Sequence, residues 1–344
     1  MNPGKKEGYV FVVVGATGAV GREILSILAE RKFPVRELRA IGSERSVGHA
    51  IEFQGKTTAV RALDSQSFVG ADIAFFTAGS NVSKEYVPVA ARSGAVVVDN
   101  TSAFRMDPDV PLAVPEVNPE VLRGIPSRRI ISVPNCTTVQ LVVALAPLHK
   151  AAKIRRIVVS TYQATSGAGR RAMEELSRQV QDLFHLREVD PDVFPHRIAF
   201  NLIPEIGGFH PDGMSIEEKK ICLETQKILS DPSIGVSATS VRVPTFHGHA
   251  ESINIETEKP LSAEEARKIL ADAPGVTVVD DPGEHEYPLI SDSHGEDAVL
   301  VGRIRNDPSR ANCLNLWVVA DNLRKGAALN GIQILESLIA NGAL

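Results

Sequence analysis

The chain has 344 residues, which is too long for one ordinary hydrophobic core, so we expect two domains. Its net charge of −5 argues against a general nucleic-acid-binding protein, which would carry a basic face. The first seven residues lack the apolar stretch of a signal peptide and no run reaches the roughly 18 apolar residues of a membrane span, so we expect a cytosolic protein without nucleic-acid or membrane partners.

The first predicted elements are a strand over Tyr9–Val14, a glycine-rich turn and an amphipathic helix. Glycines at 15, 18 and 21 give a spacing typical of dinucleotide-binding turns, in which backbone N–H groups and the helix N-terminus hold a pyrophosphate. The alternative is a tight strand-to-helix turn without a ligand. The cofactor-binding candidates in this turn are Gly15, Thr17, Gly18, Ala19 and Val20.

The next predicted strand, Glu37–Ile41, lacks the terminal acidic residue that would bind the ribose of NAD. It is followed by Ser43, Arg45 and Ser46, which suit a 2′-phosphate because guanidinium binds phosphate in a bidentate fork and hydroxyls add donors. We therefore predict NADP as the cofactor. Glu44 is evidence against this prediction, and a solvated loop is the alternative.

Further strands over Asp72–Phe76 and Ala95–Asp99, separated by a helix near 83–93, predict a doubly wound parallel sheet of the Rossmann type. The loop that leads to Arg105 follows the second of these strands at its carboxyl end, where open α/β sheets bind their ligands. Arg105 is thus a candidate anion-binding residue.

Three cysteines, Cys136, Cys222 and Cys313, form no C-x-x-C pair and predict neither disulfides nor a zinc site. Cys136 lies between the apolar run 129–133 and a predicted apolar helix over 139–148, with Asn135 or Thr137 as N-cap. At a helix N-terminus the macrodipole and unpaired N–H groups stabilise a thiolate, so its pKa should fall below about 8.5. The alternative is a small buried packing residue.

The second half of the chain predicts a domain with a mixed, largely antiparallel sheet and helices on one face. We interpret 163–170 as a flexible polar turn. The other predicted elements are strands at 154–161, 237–243, 250–256, near Val299 and at 311–320, and helices at 262–271 and 324–341.

Two histidines, His247 and His249, lie between two predicted strands, and we expect one of them to act as an acid or base. They lack a third ligand nearby, so we predict no metal; a loop histidine without a role is the alternative. Arg242 could offer a fork to a substrate carboxylate. Glu217 and Lys220 share a helical face, and their alternative interpretation is a surface ion pair.

The chain resembles the bacterial aspartate-β-semialdehyde dehydrogenases in the ordered motifs GATGAVG, SERSVG, DNTSAFRMD, VPEVN, PNCTT, YQATSGAG, EEKK, RVPTFHGHAE and DNLRKGAALN. The resemblance covers nearly the whole chain. It implies an NADP-binding Rossmann domain, 1–134, completed by a C-terminal helix, 323–344. It also implies a catalytic and dimerising domain, 135–322, similar to that of glyceraldehyde-3-phosphate dehydrogenase, in a homodimer or a tetramer.

The same resemblance implies roles for individual residues. Cys136 is implied as the acyl-thioester nucleophile, His249 as the acid/base catalyst and Gln163 as the residue that orients the thioester and contacts substrate. The implied substrate ligands are Arg242 and Glu217; the phosphate ligands are Arg105, Lys220 (rather than Lys219) and Asn135; and the further cofactor contacts are Gly79, Ser166, Gly167 and Asn322 (rather than Asn330).

The implied reaction is reductive dephosphorylation of 4-phospho-L-aspartate by NADPH, which yields L-aspartate 4-semialdehyde and inorganic phosphate for lysine, threonine and methionine synthesis. Two alternatives stay open. One is an N-acetyl-glutamyl-phosphate reductase, which shares the fold, the cysteine and the histidine. The other is a non-catalytic homologue that senses NADP.

Overall fold

The computed structural model describes residues 7–344, and the chain divides into two compact units. The first unit is Met1–Pro134 with Ala327–Leu344, and the second is Asn135–Gly326. The chain thus returns to the first unit between Gly326 and Ala327, whereas the sequence suggested 322–323. Residues 1–6, on which the expected lack of a signal peptide mostly rests, lie outside the described part. Within that part, no helix is long and apolar enough to cross a bilayer.

The first unit contains a six-stranded sheet in the order β5-β2-β1-β6-β7-β8, and every described strand pair in it is parallel. Alternate residues of its central strand, such as Phe11 and Val12, enter two separate apolar clusters, because successive side chains of a strand point to opposite faces. The predicted doubly wound parallel sheet is confirmed. Its elements are β1 (Tyr9–Val14), α1 (Ala19–Glu30), β2 (Val35–Gly42), β3 (Ala50–Phe53), β4 (Lys56–Ala59), β5 (Arg61–Ala62), β6 (Ile73–Phe76), α2 (Ser80–Arg92), β7 (Val96–Asp99), β8 (Ile130–Ser132) and α7 (Leu329–Ala340).

The last helix, α7, belongs to the core of this first unit. Its buried residues Ile332, Leu335 and Leu338 share an apolar cluster with residues of β1 and α1. A Cβ added to Gly331 would lie 2.2 Å from Cζ of Phe75, so glycine permits the close approach of α7 to the sheet. The predicted helix over 324–341 is α-helical only from Leu329, because the preceding turn is π-helical.

The second unit contains a six-stranded sheet in the order β10-β9-β11-β14-β13-β12. Its pairs β9–β11, β11–β14 and β13–β14 are antiparallel and the two edge pairs are parallel, which confirms the predicted mixed sheet. Three of its helices, α3, α5 and α6, contact the sheet strands and pack on one another through α3. Its elements are α3 (Cys136–Ala152), β9 (Ile154–Gln163), α4 (Arg170–Phe184), α5 (Ile216–Ile228), β10 (Gly235–Arg242), β11 (His249–Thr257), α6 (Ala263–Ala271), β12 (Val276–Val278), β13 (Val299–Asn306) and β14 (Cys313–Ala320).

The sequence interpretation of 163–170 as a flexible polar turn is wrong. Thr165–Ala168 is a 3-10 helical turn, and the side chains of Thr165 and Ser166 are buried. Their backbone N–H groups donate to the carbonyl oxygens of Thr245 and Phe246 at 2.9 and 3.1 Å. These bonds to a distant loop hold the segment in place, and nothing in its local composition indicates them. The hairpin of β3 and β4 was likewise not predicted.

Candidate active site

Cys136 is the first residue of α3, and Asn135 is the N-cap. The side-chain Oδ1 of Asn135 accepts the backbone N–H of Thr137 at 3.1 Å, which decides between the two N-cap candidates in favour of Asn135. Cys136 is partly exposed, and a Cβ added to Gly326 would lie 2.9 Å from its Cβ. Glycine at 326 therefore leaves the room that the cysteine occupies.

Three candidate residues stand in one row across three adjacent strands. Gln163 of β9 is paired with Arg242 of β10 on one side and with His249 of β11 on the other. Directly paired residues point to the same face of a sheet, so the three side chains share one face. All three are buried. The row places an amide, a guanidinium and an imidazole side by side.

His249 is held by the peptide group of Ala164. The N–H of Ala164 donates to Nδ1 of His249 at 3.1 Å, so the ring proton lies on Nε2. Burial of the ring, together with the charge of Arg242, lowers the pKa of His249 to about 3. Its Nε2 is buried and has no hydrogen-bond partner among the described residues. His249 is thus a neutral imidazole that can donate one proton from Nε2.

Arg242 uses the other end of the same peptide, because its Nη1 donates to the carbonyl oxygen of Ala164 at 2.7 Å. Burial lowers the pKa of Arg242, and the charges of Glu217 and Cys136 oppose that shift. A Cβ added to Gly167 would lie 2.9 Å from Nη1 of Arg242 and 3.2 Å from Nε2 of His249. The absence of a side chain at Gly167 thus keeps open the space in front of both groups.

Glu217 links the cysteine turn to this row. Its Oε1 accepts from Nδ2 of Asn135 at 2.9 Å and from Nε2 of Gln163 at 3.0 Å, and Nζ of Lys220 lies 3.2 Å from Oε2. Burial alone would raise the pKa of Glu217, but Lys220 and these donors together lower it. The alternative of a surface ion pair is wrong, because Glu217 is only 6% exposed. Lys219 instead pairs with Asp212 at the surface.

Arg105 lies in the first unit and is 7% exposed. Its Nε and Nη2 donate to the carbonyl oxygens of Val133 and Asn100 at 2.9 and 3.0 Å, which fixes the orientation of the guanidinium. The loop before it is organised by Asp99, which accepts the backbone N–H and the hydroxyl of Thr101 at 3.0 Å. Burial raises the pKa of Asp99 to about 6, although its donors and Arg105 oppose the shift.

The glycine turn before α1 fits a pyrophosphate. Gly15 has a φ of +93°, and a Cβ there would lie 2.4 Å from Oγ1 of Thr77. Gly18 is the N-cap of α1 and makes no side-chain cap, and the first turn carries no acidic residue. A Cβ at Gly21 would lie 2.2 Å from the carbonyl oxygen of Gly15. Backbone N–H groups at an uncapped helix N-terminus are what an anionic cofactor requires.

The candidate 2′-phosphate residues form a short 3-10 turn, Glu44–Ser46, after β2. The hydroxyl oxygen of Ser46 lies 3.3 Å from that of Thr17 and 3.4 Å from that of Ser43. Arg45 is exposed and lies between Ser43 and Ser46 in the sequence. The turn therefore brings hydroxyl groups from two loops of the first unit together, and it includes one exposed arginine.

The remaining cofactor candidates are placed as follows. Gly79 is the N-cap of α2, with a φ of +99° and no side-chain cap. In the second unit, Oγ of Ser166 lies 3.0 Å from Nδ2 of Asn322, and Oδ1 of Asn322 accepts the N–H of Gly248 at 3.0 Å. Asn330 instead donates to the carbonyl oxygen of Ala113 in the first unit. Of the two asparagines, Asn322 is thus the one that is hydrogen-bonded to the loop that precedes His249.

Two buried acids near these residues were missed. Glu224 of α5 accepts the backbone N–H of Asn135 at 2.6 Å, and Glu251 of β11 is fully buried on the same strand face as His249. Their spacing was a usable signal: Glu224 follows Glu217 by two helical turns, and Glu251 follows His249 by two strand positions.

His247 stacks on His294 with ring centroids 4.6 Å apart. Within residues 7–344, no cluster of three or more His, Cys, Asp or Glu side chains could hold a metal ion.

Comparison with known proteins assigns both halves of the chain to the same family. Residues 11–125 match a family model described as the NAD binding domain of semialdehyde dehydrogenase, and residues 145–325 match one described as its dimerisation domain. An aspartate-semialdehyde dehydrogenase of Aquifex aeolicus is 52% identical over 339 residues, which cover 98% of this chain and 100% of the relative.

Two solved structures extend the comparison. The aspartate semialdehyde dehydrogenase II of Vibrio cholerae, complexed with ASA, superposes with a TM-score of 0.93 at 45% identity and covers 97% of this chain and 99% of its own. The aspartate semialdehyde dehydrogenase of Candida albicans, solved with NADP, superposes with a TM-score of 0.77 at 25% identity and covers 98% of this chain and 100% of its own.

Proposed function

Because the chain belongs to the aspartate-semialdehyde dehydrogenase family, we propose that it reduces 4-phospho-L-aspartate to L-aspartate 4-semialdehyde through a thioester on Cys136. The observation that carries this proposal is the cysteine at the N-terminus of α3, joined through Asn135 and Glu217 to the row that holds Gln163 and His249. The two alternatives, an N-acetyl-glutamyl-phosphate reductase and a non-catalytic homologue, receive no support from the relatives.

In the first step the Cys136 thiolate attacks the acyl carbon, the C–O bond to phosphate breaks and inorganic phosphate leaves. The N-terminal position of Cys136 on α3 favours the anionic thiolate. We propose that Lys220 and Asn135 stabilise the phosphate, and we propose the same role for Arg105, because each supplies N–H donors for anionic oxygens. The phosphate role of these residues is part of the proposal.

Recognition of the amino acid falls to Arg242 and Glu217. A guanidinium can bind the substrate carboxylate in a bidentate fork, and a carboxylate can accept from its ammonium group. Glu217 suits the binding of the ammonium group because its lowered pKa keeps the carboxylate ionised. Gln163, which donates to Glu217, holds its amide beside the acyl group.

NADPH, when bound, supplies a hydride to the thioester carbonyl. His249 donates the proton on Nε2 to the oxygen that becomes the thiohemiacetal hydroxyl, which leaves an imidazolate. Nε2 then takes the hydroxyl proton back as the C–S bond breaks, which releases the aldehyde and the Cys136 thiolate. The neutral state of His249 suits this exchange, because Nδ1 stays bound to the peptide N–H of Ala164 throughout.

The direct test is mass spectrometry of enzyme quenched after mixing with 4-phospho-L-aspartate without NADPH. We expect one aspartyl adduct, which peptide mapping assigns to Cys136. The Cys222→Ala variant is the matched control and should form the same adduct, since Cys222 donates to the carbonyl of Val236 away from the row. An unmodified Cys136, or faster reduction of N-acetyl-glutamyl phosphate, would refute the proposal.

The preference for NADP over NAD is also part of the proposal and rests on Arg45 with the hydroxyls of Ser43 and Ser46. We expect Arg45→Ala to weaken NADP binding about 10-fold or more and NAD binding little, because only NADP carries the phosphate. Calorimetric titration of both cofactors measures this. Arg92→Ala, which removes an exposed arginine at the end of α2, is the control. An equal loss for both cofactors would disprove the assignment.

We further propose that the protein is a homodimer, or a tetramer built from such dimers, located in the cytosol. Phe184, Leu186, Phe200 and Leu202 are 58–95% exposed in the segment that matches the dimerisation domain, and apolar patches of this kind mark interfaces. Sedimentation of Leu186→Ser against Val69→Ser should show dissociation in the first variant only. The cytosolic location is supported by the three free cysteines, since cytosolic proteins keep their thiols reduced and rarely form disulfides.

A further inference from the structure

Asn135, the residue before the proposed nucleophile, is bound at both its backbone and its side chain by one helix. Oε2 of Glu224 accepts its backbone N–H at 2.6 Å, and Oε1 of Glu217 accepts its side-chain amide at 2.9 Å. The two acids are seven residues apart on α5, which places them two turns apart on the same helical face. Helix α5 therefore holds both the backbone and the side chain of this residue.

These contacts are shielded from water. Glu224 is 1% exposed and Asn135 is 6% exposed. A buried backbone N–H that loses its acceptor gains no water in exchange, so the chain would move to satisfy it. The movement would affect the cap as well, because Oδ1 of the same Asn135 accepts the N–H of Thr137 in the first turn of α3.

We propose that Glu224 is a positioning residue for thioester formation, which orients Cys136 by holding the backbone N–H of Asn135. This inference rests on the proposed function. Glu224 does not contact the substrate in this account; it acts through the peptide that carries the nucleophile. The residues of α5 thus have two different roles. Glu217 and Lys220 face the reacting groups, whereas Glu224, two turns after Glu217, holds the turn that presents the thiol.

The test separates the acceptor atom from the bulk of the side chain. Glu224→Gln keeps an acceptor oxygen on a side chain of the same length, and Glu224→Ala removes that oxygen. We expect Glu224→Ala to slow formation of the Cys136 acyl adduct about 10- to 100-fold, because small displacements of a reacting group cost rates of this size. We expect Glu224→Gln to remain within about threefold of the unchanged enzyme, and KM for the acyl phosphate to change less than the rate in both variants.

Glu175 provides the matched control. It is 2% exposed on α4 of the same unit and accepts the backbone N–H groups of Asp192 and Val193 at 3.0 and 2.6 Å. Glu175→Ala therefore removes a comparable buried acceptor away from Cys136. All rates are expressed per folded molecule, from circular dichroism and an NADP titration of each variant. Equal slowing by Glu224→Ala and Glu175→Ala, or a Gln variant as slow as the Ala variant, would overturn the proposal.

A second readout does not depend on the substrate. The rate of Cys136 alkylation by iodoacetamide, followed by peptide mass, should fall about 10-fold in Glu224→Ala and stay near its original value in Glu224→Gln. If the unchanged enzyme forms no acyl adduct, the proposed function fails while the alkylation rates still decide the role of Glu224. An unchanged alkylation rate in Glu224→Ala would overturn that role.

Discussion

His249 carries its proton on a defined nitrogen before any substrate arrives. Most histidines can exchange protons at either ring nitrogen, but here the peptide of Ala164 occupies Nδ1. Burial then disfavours the charged ring. The acid group that we propose at this position is therefore an N–H of neutral imidazole.

We expect His249 not to titrate between pH 5 and 8, with a midpoint at about 3 because the buried ring resists protonation. Two-dimensional NMR of the enzyme with ¹⁵N-labelled histidine measures this, and the His249→Asn variant assigns the resonance. A histidine-containing peptide, with a pKa of about 6.5, serves as the reference. A midpoint near that of the peptide would contradict the neutral tautomer.

Burial also keeps Glu251 neutral, but it shifts the pKa of this acid in the opposite direction. Burial raises its pKa well above the usual range, and Gln140 offsets this only in part. As pH rises above about 4.3 the unfolded chain releases this proton while the folded protein keeps it. The folded state therefore loses stability as pH rises toward the folded pKa.

We expect Glu251→Gln to remove this loss. The difference in unfolding free energy between the variant and the original protein should shift in favour of the variant by up to about 1.4 kcal/mol per pH unit above pH 4.3. Urea unfolding at pH 5, 6 and 7 measures the difference. A difference independent of pH would show that Glu251 is ionised in the folded protein.

At the scale of elements, the short 3-10 turn Thr165–Ala168 closes over the row of Arg242, Gln163 and His249. We expect Gly167→Ala to lower kcat about 10- to 100-fold, since its methyl group would displace the guanidinium or the imidazole. Steady-state kinetics measures the change. Gly124→Ala is the control, because a Cβ there meets nothing within 4 Å. Equal activity of the two variants would mean that the turn moves aside freely.

Local sequence patterns were sufficient to predict the elements that hold the candidate cofactor-binding and catalytic residues. The glycine trio before α1 has a strand on one side and a periodic helix on the other, so it was readable from sequence. Asn135 and Cys136 were placed correctly at a helix start for the same reason. The pairing of Gln163 with both Arg242 and His249 was not predictable, because sheet register depends on residues about 80 positions apart. Glu224 was missed because its partner is a backbone N–H on another element.

At the scale of the whole molecule, the first unit is completed by a segment that follows the second unit in sequence. Leu335 of α7 is fully buried in the core of the first unit. We expect Leu335→Ala to destabilise that unit by about 2–5 kcal/mol, because it leaves a cavity. Hydrogen exchange followed by mass spectrometry should show that the substitution accelerates exchange more in β1 and α1 than in β9 and β11. A uniform increase over both units would indicate that they unfold together.

The return of α7 to the first unit also has a consequence for synthesis on the ribosome. The strands of the nucleotide-binding sheet leave the ribosome early, but the helix that covers their core is made only after the entire second unit. At usual translation speeds this leaves a wait of roughly 10–40 s. During that wait the apolar residues that α7 later covers are accessible to chaperones, so the nascent first unit is a natural client for them.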